Sequence, residues 1–304
     1  MTAFALHRDD PRPALAALVF GALVIGTTPI LVRLADCGPA AAGFWRLAFA
    51  APLLLLINLR GAERGLGRPS GMMLLAGLAF ALDLGCWHYG IRYTSVANAT
   101  VLPNLTPVLV TLVGWLFLKE RPRAIFLVGL AAAIGGAVLM AEAAAPTPAR
   151  TGPIPHLGDA LSASTAIWYG LYMITVAMAR RDHSASRVML WSSLTGAPLL
   201  LIAALLLGER IAPASLGGWA AAAGLGLAHV LGQGSIAWAL GRLPTSRASL
   251  VVLVQPVAAA LLGFVVLGEV LTPWQAAGGA IALVGVTIAQ RGGGVAPPPT
   301  APAD

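Results

Sequence analysis

Hydrophobic residues in this chain fall into long, nearly uninterrupted runs separated by short stretches rich in Arg, Pro and Gly. An α-helix needs about 20 apolar residues to cross a bilayer, whereas the strands of a membrane β-barrel alternate apolar and polar residues. The pattern therefore predicts an all-α membrane protein with ten transmembrane helices. The predicted helices cover residues 14–34, 39–59, 70–91, 95–118, 123–141, 157–179, 187–207, 216–240, 246–268 and 274–290.

Composition strengthens this interpretation and removes several others. The chain is 58% hydrophobic and 10% charged, whereas a soluble domain carries about 25% charged residues. A soluble protein is therefore excluded. The two cysteines, Cys37 and Cys86, are too few for a disulfide framework, and we expect no metal site and no cofactor. The net charge is +7, but the basic residues lie between the apolar runs, so we expect no nucleic-acid partner.

A Pro-rich linker at residues 142–156 divides the chain into two halves with five predicted helices each. The halves cover residues 14–141 and 157–290. They are flanked by an N-terminal segment, 1–13, and by a C-terminal tail, 291–304, that has nothing to bury and is expected to be disordered.

The basic residues predict the orientation of the helices. With a cytoplasmic N-terminus, fourteen Lys and Arg residues lie in cytoplasmic segments and four lie in external ones, namely Arg33, Arg92, Arg150 and Arg210. Cytoplasmic loops of membrane proteins are enriched in Lys and Arg. Both termini are therefore expected in the cytoplasm.

The second half of the chain repeats the first. At an offset of 149 residues, Pro107 and Glu120 meet Pro256 and Glu269, and at an offset of 146, Trp45 meets Trp191. Since five is an odd number, the second copy must enter the membrane in the opposite orientation. Inverted repeats with a site near the bilayer midplane are typical of alternating-access transporters.

These features resemble a known family. The ten helices in two halves, the stretch 44–47 in helix 2 and the paired Pro-x(12)-Glu patterns are similar to the EamA domains of the drug/metabolite transporter superfamily, over residues 14–290. The Trp, Tyr and His residues of helices 3 and 6 resemble those of the bacterial aromatic amino acid exporters of the YddG type. The resemblance implies a secondary transporter with a central cavity.

Polar side chains inside predicted helices are the candidates for a site, because they are costly in hydrocarbon. Asp83 could recognise a cation or relay protons, or it could be structural and pair with Arg46. Arg46 could anchor its helix by reaching the membrane surface, or it could bind the carboxylate of an exported amino acid. Both alternatives remain open for each residue. Further substrate-binding candidates are Trp87, His88, Asn98, Trp168, Tyr172, His229, Gln233 and Trp238.

Prolines predict kinks that would suit gates, because each proline removes one hydrogen bond from its helix. The candidates are Pro103 and Pro107 in helix 4 and Pro256 in helix 9.

The sequence thus predicts a secondary transporter in a bacterial cell inner membrane that exports small amphipathic metabolites, with aromatic amino acids favoured. The alternative is broad drug or organic-cation efflux. An intramembrane enzyme is a remote third class, since the sequence contains no HExxH or GxSxG motif. No ATP-binding motif is present either, so we expect gradient-driven transport by a monomer, with the bilayer and a small molecule as its partners and no ATP-hydrolysing subunit.

Overall fold

The computed structural model describes residues 10–61, 65–93, 102–118, 122–143, 154–255, 257–258, 261 and 272–291, and every regular element within these residues is helical. The α-helices are α1 (Arg12–Ile25), α2 (Thr28–Leu34), α3 (Pro39–Arg60), α4 (Gly71–Tyr93), α5 (Thr106–Leu118), α6 (Ala124–Glu142), α7 (Pro155–Ala179), α8 (Ala185–Leu206), α9 (Leu216–Ala228), α10 (Gly234–Leu240), α11 (Thr245–Leu250) and α12 (Pro273–Arg291). Two 3₁₀ turns, Leu102–Leu105 and Val251–Val254, precede α5 and follow α11, and a π-helical turn, His229–Gln233, joins α9 to α10.

The helices follow the apolar runs of the sequence. Six stretches of the described chain are long and apolar enough to cross a membrane: Arg12–Leu34, Pro39–Arg60, Gly71–Tyr93, His156–Ala179, Ala185–Leu206 and Leu216–Leu240. Shorter apolar helices lie at Leu102–Leu116, Ala124–Leu139 and Pro273–Ala289. The predicted all-α membrane class is therefore confirmed.

Four of the predicted spans are not regular α-helices over their described residues. The fourth and the ninth contain the 3₁₀ turns Leu102–Leu105 and Val251–Val254, and the first and the eighth depart in other ways. The first span is interrupted between Ile25 and Thr28, where the hydroxyls of Thr27 and Thr28 donate to the carbonyls of Val24 and Ile25, each at 2.7 Å. The eighth span widens into the π-helical turn His229–Gln233. Hydrophobicity locates these spans but carries no information about these local changes of backbone geometry.

Polar side chains accept hydrogen bonds from amide groups at the beginnings of several helices. The Ser184 and Ser215 hydroxyls accept hydrogen bonds from Arg187 N and Gly218 N and so cap α8 and α9. Thr272 and Gln275 form a reciprocal capping box before α12, with distances of 2.9 and 3.1 Å. Such caps satisfy amide groups that would otherwise lack partners at a helix start.

The prolines inside long helices are Pro52 in α3 and Pro198 in α8, which are equivalent positions of the sequence repeat. Pro103 lies in a 3₁₀ turn, and Pro107 lies in the first turn of α5, where the lack of an N–H costs little. The described backbone thus changes from 3₁₀ to α-helical geometry between these two prolines. Pro256 lies outside the described residues.

Helices α6 and α12 cross in close contact at glycines. A Cβ on Gly136 would lie 2.6 Å from the carbonyl oxygen of Gly278, and a Cβ on Gly129 would lie 2.7 Å from that of Gly285. Gly129, the first of the two in α6, thus faces Gly285, the second of the two in α12, and Gly136 faces Gly278. The two helices therefore run antiparallel. Only glycine permits this approach of the two backbones.

Two tryptophans tie the long helices to loops of the opposite half. Trp45 in α3 donates its Nε1–H to the carbonyl of Ile211 at 2.8 Å, and Trp191 in α8 donates to the carbonyl of Leu66 at 2.9 Å. The first contact lies at the end of the bundle where α3 begins, and the second at the end where α8 begins. We call these two hydrogen bonds the tryptophan tethers.

At the end where α3 begins, Glu209 and Asp36 organise the chain. The Glu209 carboxylate accepts the N–H groups of Ala40 and Ala41 at 3.2 and 2.9 Å, and it also accepts the Tyr89 hydroxyl. The Asp36 carboxylate accepts the Ser215 hydroxyl at 2.6 Å, which holds the pKa of Asp36 below its usual value. These contacts fix the start of α3 and therefore the height of Arg46 in the bundle.

Candidate functional site

Arg46 lies in the second turn of α3 and is only 3% exposed. Its guanidinium carbon is 5.4 Å from the centroid of the Phe80 ring, a cation–π contact between α3 and α4. Among the described residues, no hydrogen-bond acceptor reaches its Nε. A buried arginine with an unused donor is costly, and it provides a ready binding group for an anion.

Aromatic rings from two other elements pack near Phe80. The ring centroid of Tyr172 in α7 lies 4.6 Å from that of Phe80, and the centroid of the His229 ring, in the π-helical turn, lies 5.2 Å from it. Tyr169 stacks on Tyr172 at 5.7 Å. These offset and tilted arrangements are favourable for aromatic pairs. Together the rings form an apolar wall next to Arg46.

Asp83 lies one helical turn after Phe80 on α4 and is partly exposed, although it is near the middle of a spanning helix. It therefore shares a helix face with Phe80. A guanidinium and a carboxyl group thus lie on the two helices that meet at the aromatic wall, Arg46 on α3 and Asp83 on α4.

The π-helical turn supplies the remaining polar groups. His229 and Gln233 are its first and last residues, and both are buried. Gln233 accepts a hydrogen bond from the Tyr169 hydroxyl at 3.3 Å, and His229 Nε2 lies 3.2 Å from the Ser193 hydroxyl on α8. A π-helical turn inside an α-helix frequently accompanies a functional site.

We call this group the central cluster. It joins five elements of the bundle through the contacts given above, and its members are Arg46, Phe80, Asp83, Tyr169, Tyr172, Ser193, His229 and Gln233. Five of them, namely Arg46, Asp83, Tyr172, His229 and Gln233, are among the residues that the sequence singled out.

Other predicted site residues have described contacts with residues that are not members of this cluster. His88 is buried, but its Nδ1 is 2.7 Å from the carbonyl of Pro39 at the start of α3, and its ring contacts Trp87 at 5.2 Å. Trp238 lies near the opposite end, where the Arg242 guanidinium stacks on it at 3.8 Å. Trp168 is half-buried and interacts with the thiol of Cys86. Asn98 lies outside the described residues.

Three members of the cluster, Phe80, Tyr169 and Ser193, are not among the residues that the sequence singled out. Phe80 precedes Asp83 by three positions, and Tyr169 precedes Tyr172 by three, so each shares a helix face with a predicted residue and could have been indicated by it. Ser193 has no comparable signal.

Comparison with known proteins places the chain among transporters. The family model described as the EamA-like transporter family matches residues 12–141 and 156–290. An uncharacterized transporter of Archaeoglobus fulgidus is 28% identical over 279 residues, which are 91% of this chain and 96% of that protein. The pseudopaline exporter of Pseudomonas aeruginosa is 27% identical over 195 residues, which are 62% of this chain and 64% of the exporter.

A solved crystal structure shares the fold. It superposes with a TM-score of 0.76 over 91% of this chain and 97% of the other, at 17% sequence identity. At that identity the likeness establishes the fold alone.

Proposed function

The chain belongs to the EamA-like transporter family, and on that premise we propose that it exports amino acids, with aromatic side chains favoured, across a bacterial inner membrane. Transport occurs by alternating access, and the substrate binds at the central cluster. The similarity to an exporter supports the outward direction.

The proposal rests mainly on the burial of the Arg46 guanidinium and on its unused hydrogen-bond donor. Its guanidinium is buried against Phe80, and its Nε has no acceptor in the described part of the chain. The carboxylate of an amino acid would supply that acceptor in a site that excludes water, where a charge-assisted hydrogen bond is strong.

The other parts of an aromatic amino acid also have counterparts in the cluster. In this proposal the ionised carboxylate of Asp83 binds the ammonium group, and the rings of Phe80 and Tyr172 bind a planar side chain. One site would then hold a carboxylate, an ammonium and a ring at the same time. The mixture of one cation and one anion favours a zwitterion over a substrate with a single charge.

An inverted two-fold repeat is the second part of the proposal, with both termini in the cytoplasm. The glycine contacts of α6 and α12 are reciprocal, because Gly129 and Gly278 are equivalent in the repeat, as are Gly136 and Gly285. The tryptophan tethers begin at equivalent residues, Trp45 and Trp191, and each reaches the opposite half. Reciprocal contacts between antiparallel helices are what a two-fold axis in the membrane plane produces.

A second candidate function is efflux of organic cations. The partly exposed Asp83 favours it, since a carboxylate beside aromatic rings also suits a lipophilic cation. Arg46 argues against it, because a cationic substrate would be repelled by the guanidinium.

Binding measurements on the purified protein test the proposal. We expect L-phenylalanine to bind, and we expect Arg46→Gln to weaken its binding about ten- to hundredfold, as for loss of a hydrogen bond to a charged group. The matched control is Arg242→Gln, which removes an arginine stacked on an aromatic ring outside the cluster and should leave affinity unchanged. Binding of ethidium, but not of any amino acid, together with its loss in Asp83→Asn, would establish the cation alternative instead.

A further inference from the structure

Two neighbouring serines on α8 share one backbone acceptor. The hydroxyls of Ser192 and Ser193 both donate to the carbonyl of Met189, at 3.0 and 2.8 Å. Both side chains are buried. They differ in one respect, since Ser193 also lies 3.2 Å from Nε2 of His229.

The direction of the contact between Ser193 and His229 follows from counting protons. A serine hydroxyl has one proton, and that of Ser193 is used in the bond to Met189. Its oxygen must therefore accept from His229, so Nε2 carries the imidazole proton. Arg46 lies across the same Phe80 ring, and a second positive charge there would be repelled, so the imidazole is neutral. A neutral imidazole protonated at Nε2 has a free lone pair at Nδ1.

This lone pair has no partner within the described part of the chain. His229 Nδ1 is buried and lacks a hydrogen-bond partner among the side chains and backbone groups that the structure describes. The same is true of Arg46 Nε, which is a donor. The cluster therefore offers one unused acceptor and one unused donor, on two side chains that contact the same Phe80 ring.

We propose that Ser193 is a positioning residue that holds His229 in the Nε2–H tautomer, so that Nδ1 accepts a hydrogen bond from the ammonium group of the substrate. The proposal rests on the amino-acid function given above. An ammonium group has three N–H donors, so it can bind Nδ1 and the Asp83 carboxylate together. With the other tautomer, the site would present an N–H to the ammonium and repel it.

Two ligands and three variants test the role in binding. L-Phenylalanine carries the ammonium, and 3-phenylpropionate lacks it but keeps the ring and the carboxylate. We expect Ser193→Ala to weaken binding of L-phenylalanine about tenfold and to change that of 3-phenylpropionate by less than about twofold. Ser193→Thr keeps a hydroxyl and should restore most of the affinity. Ser192→Ala is the matched control and should change neither ligand.

The tautomer can be measured without any ligand. In protein labelled with ¹⁵N-histidine, the protonated and bare imidazole nitrogens resonate at distinct shifts, and a His229→Gln spectrum assigns the signals. We expect Nε2–H alone in the wild type and in Ser192→Ala, and a mixture of tautomers in Ser193→Ala.

Several results would overturn the inference. These are an Nδ1–H tautomer in the wild type, equal weakening of both ligands by Ser193→Ala, or the same loss in Ser192→Ala. If the wild type binds no amino acid, the proposed function fails, and the nitrogen spectrum still decides whether Ser193 sets the tautomer.

Discussion

Phe80 is the side chain that links the charged part of the central cluster to its aromatic part. Arg46 contacts one side of its ring, while Tyr172 and His229 pack against it from two other helices. Its ring is almost fully buried. The position of the arginine and the shape of the aromatic wall therefore depend on the same residue.

Replacing Phe80 by leucine should separate stacking from simple packing. The volume is largely kept, so we expect the protein to fold, but the loss of aromatic contacts should weaken L-phenylalanine binding about three- to tenfold, or about 0.5–1.5 kcal/mol. Phe126→Leu is the matched control, since Phe126 is equally buried in α6. Equal affinities of Phe80→Leu and the wild type would remove Phe80 from the substrate wall.

The sequence indicated charged and amide groups of the cluster better than its rings and hydroxyls. Arg46 and Asp83 stood out because a charge within an apolar run is costly and rare. His88 and Trp238 stood out on the same kind of evidence, yet they lie toward the ends of the bundle, against Pro39 and Arg242. One sequence cannot distinguish the two cases, because the difference lies in which neighbouring helix each side chain meets.

At the scale of the helices, the sequence predicted where these helices lie and how long they are, but it did not predict their local irregularities. Six of the predicted spans coincide with described stretches that are long and apolar enough to cross a membrane, since hydrophobic length determines membrane crossing. The π-helical turn His229–Gln233 depends on packing instead: a Cβ on Gly21 would lie 2.7 Å from the carbonyl oxygen of Gly232, so α1 presses directly on the widened turn. Contacts of this kind involve residues far apart in sequence and leave no periodic pattern.

The crossing of α6 and α12 gives a prediction with an adjacent control. Gly136→Ala would place a methyl group against the Ala282 and Gly278 backbones, and it should lower the free energy of unfolding by about 1–3 kcal/mol. A Cβ on Gly135 meets none of the described atoms within 4 Å, so Gly135→Ala should be neutral or stabilising by up to about 1 kcal/mol. Unfolding in mixed detergent micelles measures both. Similar stabilities of the two variants would show that the close crossing does not exist in the membrane.

At the scale of the whole molecule, the titratable groups of the central cluster decide whether transport is coupled to protons. We expect Arg46, in the same cluster, to keep Asp83 ionised, and a neutral His229 can bind substrate without exchanging protons. We therefore expect facilitated diffusion of a zwitterion. In liposomes, labelled substrate should equilibrate without a pH gradient, and an imposed gradient should not drive accumulation. Uphill uptake that a protonophore collapses and Asp83→Asn abolishes would identify Asp83 as a proton-coupling residue.

The proposed orientation can be tested in intact cells. In a background without the two natural cysteines, Arg181→Cys should be protected from an impermeant thiol reagent, and Arg150→Cys should react with it. The expectation follows from the excess of basic residues on the side assigned to the cytoplasm. Ready labelling of Arg181→Cys from outside would reverse the assignment and remove the argument for inverted halves.

The reciprocal contacts also bear on the ancestry of the chain. Each half contacts the other through equivalent residues, namely the glycines of α6 and α12 and the two tryptophans of the tethers. If the halves were once separate chains, the same contacts were available before they were fused. A five-helix ancestor inserted in both orientations could already have paired with itself as an antiparallel homodimer. Fusion would then have freed the two copies to diverge. Ser193 illustrates the result, because its counterpart at the repeat offset, Leu47, has no hydroxyl.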